Sequence, residues 1–228
     1  MTILLITLLP LVENLNASYD RIKTLQGEVV RCFASGDQSQ TTIGKFYLKK
    51  PDKLCIKYAK PEQTIALNDT SLWIYLPAEK KAVKINYTKL SPLEKRLIGV
   101  ESFLGLNPLK GLEEGFEFWA QDESTVLVQP KGGGKFISKI ILEIDPQRSI
   151  ILGTKIFDTN GLLATSTQYE DWQEINGAWF PMRVISNIYS GEKEIREEDK
   201  FRNIIINNEV DESRFNFTPP EGVEIISQ

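Results

Sequence analysis

Histidine does not occur in the 228 residues. Its absence excludes Ser-His-Asp and Cys-His machinery, histidine general bases and nearly all zinc centres. Cysteine is nearly absent: there are two, Cys32 and Cys55, with no CxxC spacing. They fall on the first and third strands of an expected antiparallel meander, where next-nearest strands lie about 9–10 Å apart. A disulfide needs Cα atoms within about 7 Å, so two free thiols are expected. Basic charge is also in deficit, with 27 Lys and Arg against 31 Asp and Glu, a net charge of −4. Such a chain lacks the clustered Lys and Arg of a nucleic-acid binder, and its net charge does not draw it to anionic lipid. No apolar run is long enough to span a bilayer. Residues 3–12 are apolar, but no Lys or Arg precedes them and no clean A-x-A site follows. No lipobox ending in Cys appears. Residues 1–9 read either as a signal-peptide remnant or as an extension of a helix, and residues 10–228 as a single domain.

What is present is alternation. In "GKFYLKKPDKLCIKYAKPE", Phe46 and Leu48 alternate with Lys45, Tyr47 and Lys49. A Lys-Pro-Asp turn follows, and then Leu54, Ile56 and Tyr58 alternate with Lys53, Cys55 and Lys57. A period of two marks half-buried antiparallel strands. The pattern predicts strands near 26–34, 41–49, 53–59, 64–68, 71–76 and 81–86, then 115–121, 124–129, 137–145, 150–158, 162–171, 178–188 and 195–206. Turn-rich joints such as "KKPDK", "PKGGGK" and "DTNG" separate them.

Two segments carry helical spacing instead. Leu8, Leu11, Leu15, Tyr19 and Ile22 recur at three- and four-residue steps, predicting a helix over 10–24. In "SPLEKRLIGVESFLGL" the apolar positions Leu93, Leu97 and Leu104 follow Ser91, Pro92 and Glu94, which read as a capping box. A large antiparallel sheet tends to curl, and amphipathic helices would cover its concave face.

Four pieces now stand in order: "LQGEV", "GKFYLKKP", "LWIYLP" and "FNFTPPEGV". Together they resemble the bacterial outer-membrane lipoprotein carrier family, the LolA-like proteins, strongest over 24–77 and 213–225. The resemblance implies an incomplete, strongly twisted antiparallel β-barrel of about 11–13 strands. A helical lid over an apolar cavity would be formed by the N-terminal helix and the mid-chain insertion. It implies a periplasmic carrier that catalyses no reaction and needs no cofactor or metal. Its partners would be acylated lipoproteins, an inner-membrane ABC transporter that loads them, and an outer-membrane lipoprotein receptor. It would work as a monomer and bind no nucleic acid.

By the same resemblance Phe46, Leu48, Leu54, Ile56 and Tyr58 face the acyl-chain cavity or its mouth, with Leu54 at the mouth. Trp73 and Tyr75 are taken as further ligand contacts, and Leu93, Leu97 and Leu104 as lid residues. Lys50 stands where the family uses a basic residue to latch the lid, although Lys lacks the planar fork of Arg. Each has a plainer alternative: ordinary core for the apolar residues, a hydrogen-bonded core aromatic for Trp73 and Tyr75, and a solvated turn residue for Lys50. Phe215, Phe217, Pro219, Pro220 and Gly222 read as architecture. A periplasmic lipid- or lipoprotein-sensing module of the same fold is the alternative function.

Overall fold

A computed structural model describes residues 8–90, 115–191 and 193–227. The chain opens with α1 (Leu8–Asp20) and continues as β1 (Thr24–Ser35), β2 (Gln38–Lys49), β3 (Lys53–Ala59), β4 (Glu62–Leu67), β5 (Ser71–Leu76) and β6 (Lys81–Asn86). After residues 91–114 come β7 (Phe116–Ala120), β8 (Thr125–Pro130), β9 (Ile137–Asp145), β10 (Ile150–Asp158), β11 (Leu163–Ile175), β12 (Ala178–Ser190), β13 (Lys193–Ile206) and β14 (Glu224–Ser227). The protein is mainly β, as the alternation predicts.

The hydrogen-bonded order is β14-β6-β5-β4-β3-β2-β1-β13-β12-β11-β10-β9-β8-β7. The chain therefore makes two meanders, β1–β6 and β7–β13, rather than one continuous run. The expected 13 strands gain a fourteenth, β14, which pairs parallel to β6 through Ile225↔Ala82 and Ile226↔Val83. Sequence pattern missed it because four residues directly after a Pro-Pro-x-Gly turn carry too little periodicity to read.

The expected helix over 10–24 stops at Asp20. The side chain of Asn207 accepts from the backbone N–H of Lys23 at 2.8 Å, and the N–H of Asn207 donates to the carbonyl of Thr24 at 2.9 Å. These bonds commit residues 23 and 24 to extended backbone. Val12, Leu15 and Tyr19 form the buried stripe of α1, a helical step of three and four.

The chain divides into two compact units. The first holds α1, β7–β12 and the hairpin-side ends of β1, β2 and β13; the second holds β3–β6, β14 and the remainder of those three strands. In the first, α1 packs on β7, β10 and β12. The Tyr19 hydroxyl accepts from the Ile151 N–H at 3.2 Å, both groups buried. In the second, Phe46, Leu48, Leu54, Leu67 and Leu72 are essentially without exposed surface. Both cysteines are free thiols, as expected, on β1 and β3.

Candidate functional site

Directly paired residues on neighbouring strands share one face of a sheet. In the second unit this fixes two rows that cross five strands. One runs Phe46, Ile56, Ile65, Ile74, Val83; the other Leu48, Leu54, Leu67, Leu72, Ile85. All ten side chains are apolar, and none carries a polar atom. This aliphatic wall is the candidate site.

Local geometry lets the wall close up at its edge. The Phe46 ring meets Phe201 edge-on, with centroids 5.8 Å apart. A Cβ at Gly27 would come within 2.6 Å of the Ile204 side chain and 3.3 Å of the Phe46 ring. A Cβ at Gly44 would come within 2.8 Å of the Tyr58 ring, its cross-strand partner. The glycines of "LQGEV" and "GKFYL" thus admit the aromatic rings to this face.

The opposite face of the same strands is chemically mixed. Its rows read Tyr47, Cys55, Ala66, Trp73, Lys84 and Lys45, Lys57, Thr64, Tyr75, Ala82. The segment from Val210 to Val223 lies on it. Val210 and Phe215 pack on Cys55 with Tyr47 alongside. Phe217 and Val223 pack against Ala66, Trp73 and Ala82. The Phe217 ring stands 6.0 Å from Trp73 and 5.6 Å from Tyr75. The guanidinium of Arg214 sits 4.8 Å over the Tyr47 ring, a cation–π contact.

Charge ties that cover down. Glu212 accepts from the ammonium of Lys49 and, at 2.7 Å, from that of Lys53. These two hydrogen bonds hold its carboxyl down at about 2. Burial beneath Phe215 and Val210 pushes the Cys55 thiol up.

The residues expected to touch acyl chains therefore separate. Phe46, Leu48, Leu54 and Ile56 lie in the two apolar rows, Tyr58 shares their face in the next pairing with Gly44 and Gln63, and Trp73 and Tyr75 point to the other side, beneath Phe217. The Leu67↔Leu72 pairing sets this parity. Asn68 fixes that turn: its side-chain oxygen accepts from the N–H of Thr70 at 3.0 Å and of Ser71 at 2.9 Å. Leu54, expected at a cavity mouth, has no exposed surface. Lys50 sits half-buried in the β2–β3 turn, its N–H donating to the Lys23 carbonyl at 2.9 Å. The lid positions Leu93, Leu97 and Leu104 lie outside the described residues. Ile65, Leu67, Leu72, Ile74, Val83 and Ile85 were not singled out by sequence, although counting parity through the Asn68 turn would have placed them on the wall.

In the first unit a row of paired residues changes character across its strands. One row runs Ala120, Val126, Leu142, then Thr154, Thr167, Ser186 and Glu197. The hydroxyls of Thr167 and Ser186 lie 3.0 Å apart. Burial pushes the Tyr169 phenol up to about 12, opposed by a hydrogen bond with Thr154. Away from this face, Arg183 donates to Glu198 at 2.8 Å and Glu170 at 2.7 Å. Its hydrogen bond to Glu198, with that of Lys200, holds the Glu198 carboxyl down. Among the described residues no three Asp, Glu or Cys converge as metal ligands. Among the same residues no helix is long and apolar enough to cross a membrane.

Comparison with known proteins agrees with this architecture. The family described as "Outer membrane lipoprotein carrier protein LolA" matches residues 20–174. An outer-membrane lipoprotein carrier protein of Alkalilimnicola ehrlichii is 24% identical over 211 residues, covering 91% of this chain and 79% of that one. Among solved structures, a DUF1329 family protein from Desulfovibrio piger aligns with a TM-score of 0.68 at 16% identity, over 91% of this chain and 95% of its own. A LolA superfamily protein from Nitrosomonas europaea aligns with a TM-score of 0.62 at 12% identity, over 90% and 97%.

Proposed function

Because the chain belongs to the LolA family of outer membrane lipoprotein carrier proteins, we propose that its aliphatic wall takes up the acyl chains of lipoproteins. In this reading the protein carries them through the periplasm from the inner to the outer membrane. The observation that carries the reading is the wall itself: ten paired positions on five strands without one polar side-chain atom.

Exposing an acyl chain to water costs about 0.8 kcal/mol per methylene. For a triacylated lipoprotein the total is on the order of 30 kcal/mol, which forbids unaided transfer through an aqueous compartment. An aliphatic wall removes that cost by area alone. It offers acyl chains no directional bond, so affinity does not depend on chain register, and release needs only an acceptor of equal apolarity. An inner-membrane ABC transporter as donor and an outer-membrane lipoprotein receptor as acceptor complete the route. The work is transfer between apolar surfaces, with no bond made or broken.

The test is binding of a triacylated lipopeptide beside the same peptide without its acyl chains. The expected result is one-to-one binding of the first and at least a hundredfold weaker binding of the second. Ile74→Ser, at a half-buried wall position, should weaken lipopeptide binding by roughly tenfold. Lys84→Ser, on the opposite face, should leave it unchanged. Equal affinity for the acylated and bare peptides sinks the reading.

A further inference from the structure

Two loops of the first unit hold large apolar side chains out in water. Phe136 is 67% exposed and Leu162 66%. Phe136 directly precedes β9 and Leu162 directly precedes β11. Both strands flank the same end of β10, where Ile137 pairs with Asp158 and Leu163 with Phe157. The two side chains are therefore carried at one end of the sheet, on strands about 10 Å apart.

The turn beneath Leu162 is fixed. The Asp158 carboxylate accepts from the N–H of Asn160 at 2.9 Å and of Leu162 at 2.8 Å, and the Asp158 N–H donates to the Leu162 carbonyl at 2.9 Å. The only acid of these two loops is thus engaged by its own turn. Basic side chains accompany the β8–β9 loop and the strand that follows it. The Lys135 ammonium lies 5.2 Å from the Phe136 ring centroid, and that of Lys139 lies 4.5 Å from the Phe157 ring centroid. Lys131 opens the same loop. From Lys131 to Lys139 and from Asp158 to Leu162 the chain carries three lysines and one carboxylate.

Single exposed apolar residues are ordinary. Two on adjacent loops, with the ammonium of Lys135 beside Phe136 and Lys139 three residues further along β9, make an amphipathic tip with the chemistry of a lipid interface. There an aromatic and an aliphatic side chain enter the boundary between headgroups and acyl chains, while lysine stems lie along it and their heads meet phosphate. The chain's net charge of −4 does not oppose this, because attraction to a charged surface acts over about 10 Å at 0.1 M salt.

We propose that this tip docks the protein on an anionic lipid bilayer, with Phe136 and Leu162 inserted and Lys135 and Lys139 facing lipid phosphates. The docking uses no residue of the aliphatic wall, so it stands or falls separately from acyl-chain uptake.

The test is co-sedimentation of the full chain with phosphatidylglycerol–phosphatidylethanolamine vesicles beside phosphatidylcholine vesicles. The wild type should bind the anionic vesicles at least fivefold more tightly than the neutral ones, and less tightly as salt rises. The double variant Phe136→Ser, Leu162→Ser should bind roughly tenfold more weakly, with an unchanged melting temperature because neither side chain is in a core. Lys135→Gln and Lys139→Gln should each cost roughly fivefold. Lipopeptide binding by all these variants should match the wild type. The proposal is overturned by failure of the wild type to bind anionic vesicles, by equal binding to neutral ones, or by full binding of the double variant. Lost lipopeptide binding in a variant that still docks would count against the separation of the two surfaces.

Discussion

In the second unit two adjacent rows cross five strands and stay apolar throughout. In the first unit the row that begins Ala120, Val126, Leu142 ends in Thr154, Thr167, Ser186 and Glu197. The first unit's face is finished by directional bonds: Thr154 with Tyr169, Thr167 with Ser186, and the Tyr19 hydroxyl of α1 on the Ile151 N–H. Satisfied buried polar networks favour one packing over others, because any displacement leaves a donor or acceptor stranded. The aliphatic wall carries no such instruction. Whatever apolar body lies on it is held by area, and another of equal area can replace it at little change in free energy. The proposed uptake of acyl chains uses this difference: polar atoms fix the helix of the first unit, and their absence leaves the wall of the second without a directional partner.

The sharpest way to break this contrast is a charge in the wall. Leu54 has no exposed surface, and its row offers no hydrogen-bond partner. Leu54→Glu should therefore destabilise the protein by about 3–5 kcal/mol, the cost of an uncompensated buried charge. At roughly 2–4 °C per kcal/mol for a chain of this size, the melting temperature should fall by about 6–20 °C. A normal melt would mean that the wall at Leu54 opens to water, and the proposed difference between the units would fail at its most buried point. Tyr19→Phe probes the other side of the contrast. It removes one buried hydroxyl and strands the Ile151 N–H, which should cost about 1–2 kcal/mol. Urea unfolding measures the loss, and lipopeptide affinity should not move. A loss of affinity in Tyr19→Phe would tie the helix to cargo and blur the two roles.

Much of this was legible in the sequence. Period-two alternation located nearly all the strands, because each has one buried and one wetter face. The side of the sheet on which a residue lies was harder to read. Trp73 and Tyr75 read as ligand contacts, with hydrogen-bonded core aromatics as the alternative, and the Asn68 turn sets a register that turns them away from Leu54 and Ile56. Parity passes through every turn, and a one-residue slip reverses a strand. The tail "FNFTPPEGV" was rightly read as architecture, but its target was not, since Phe217 meets Trp73 and Tyr75 across about 140 residues of chain and nothing local encodes that contact. The burial of Leu54 was likewise beyond alternation, which reports a face and not what lies over it.

The smallest effect lies on the far face of those same strands. Glu212 bridges Lys49 and Lys53, and its carboxyl is held at about 2 against an ordinary 4.5. A carboxyl lowered by folding stabilises the native state above its unfolded value and loses that contribution as pH falls through the folded one. The contribution is therefore complete above about 4.5, shrinks as the pH falls, and is gone below about 2. With half of its side chain in solvent, Glu212 should give an effect that is modest and reduced by salt. Glu212→Gln should lie slightly below the wild type in stability at pH 6, and the difference should narrow by pH 3. Unfolding by urea at the two pH values reads the change directly. Lipopeptide affinity at pH 7 is the sharper measurement. The carboxylate lies on the side covered by the Val210–Val223 segment, opposite the aliphatic wall, so removing its charge should leave affinity unaltered. A clear change in affinity would show that the cover on one face governs what the other face can hold. The two faces of the second unit would then have to be treated as one coupled device.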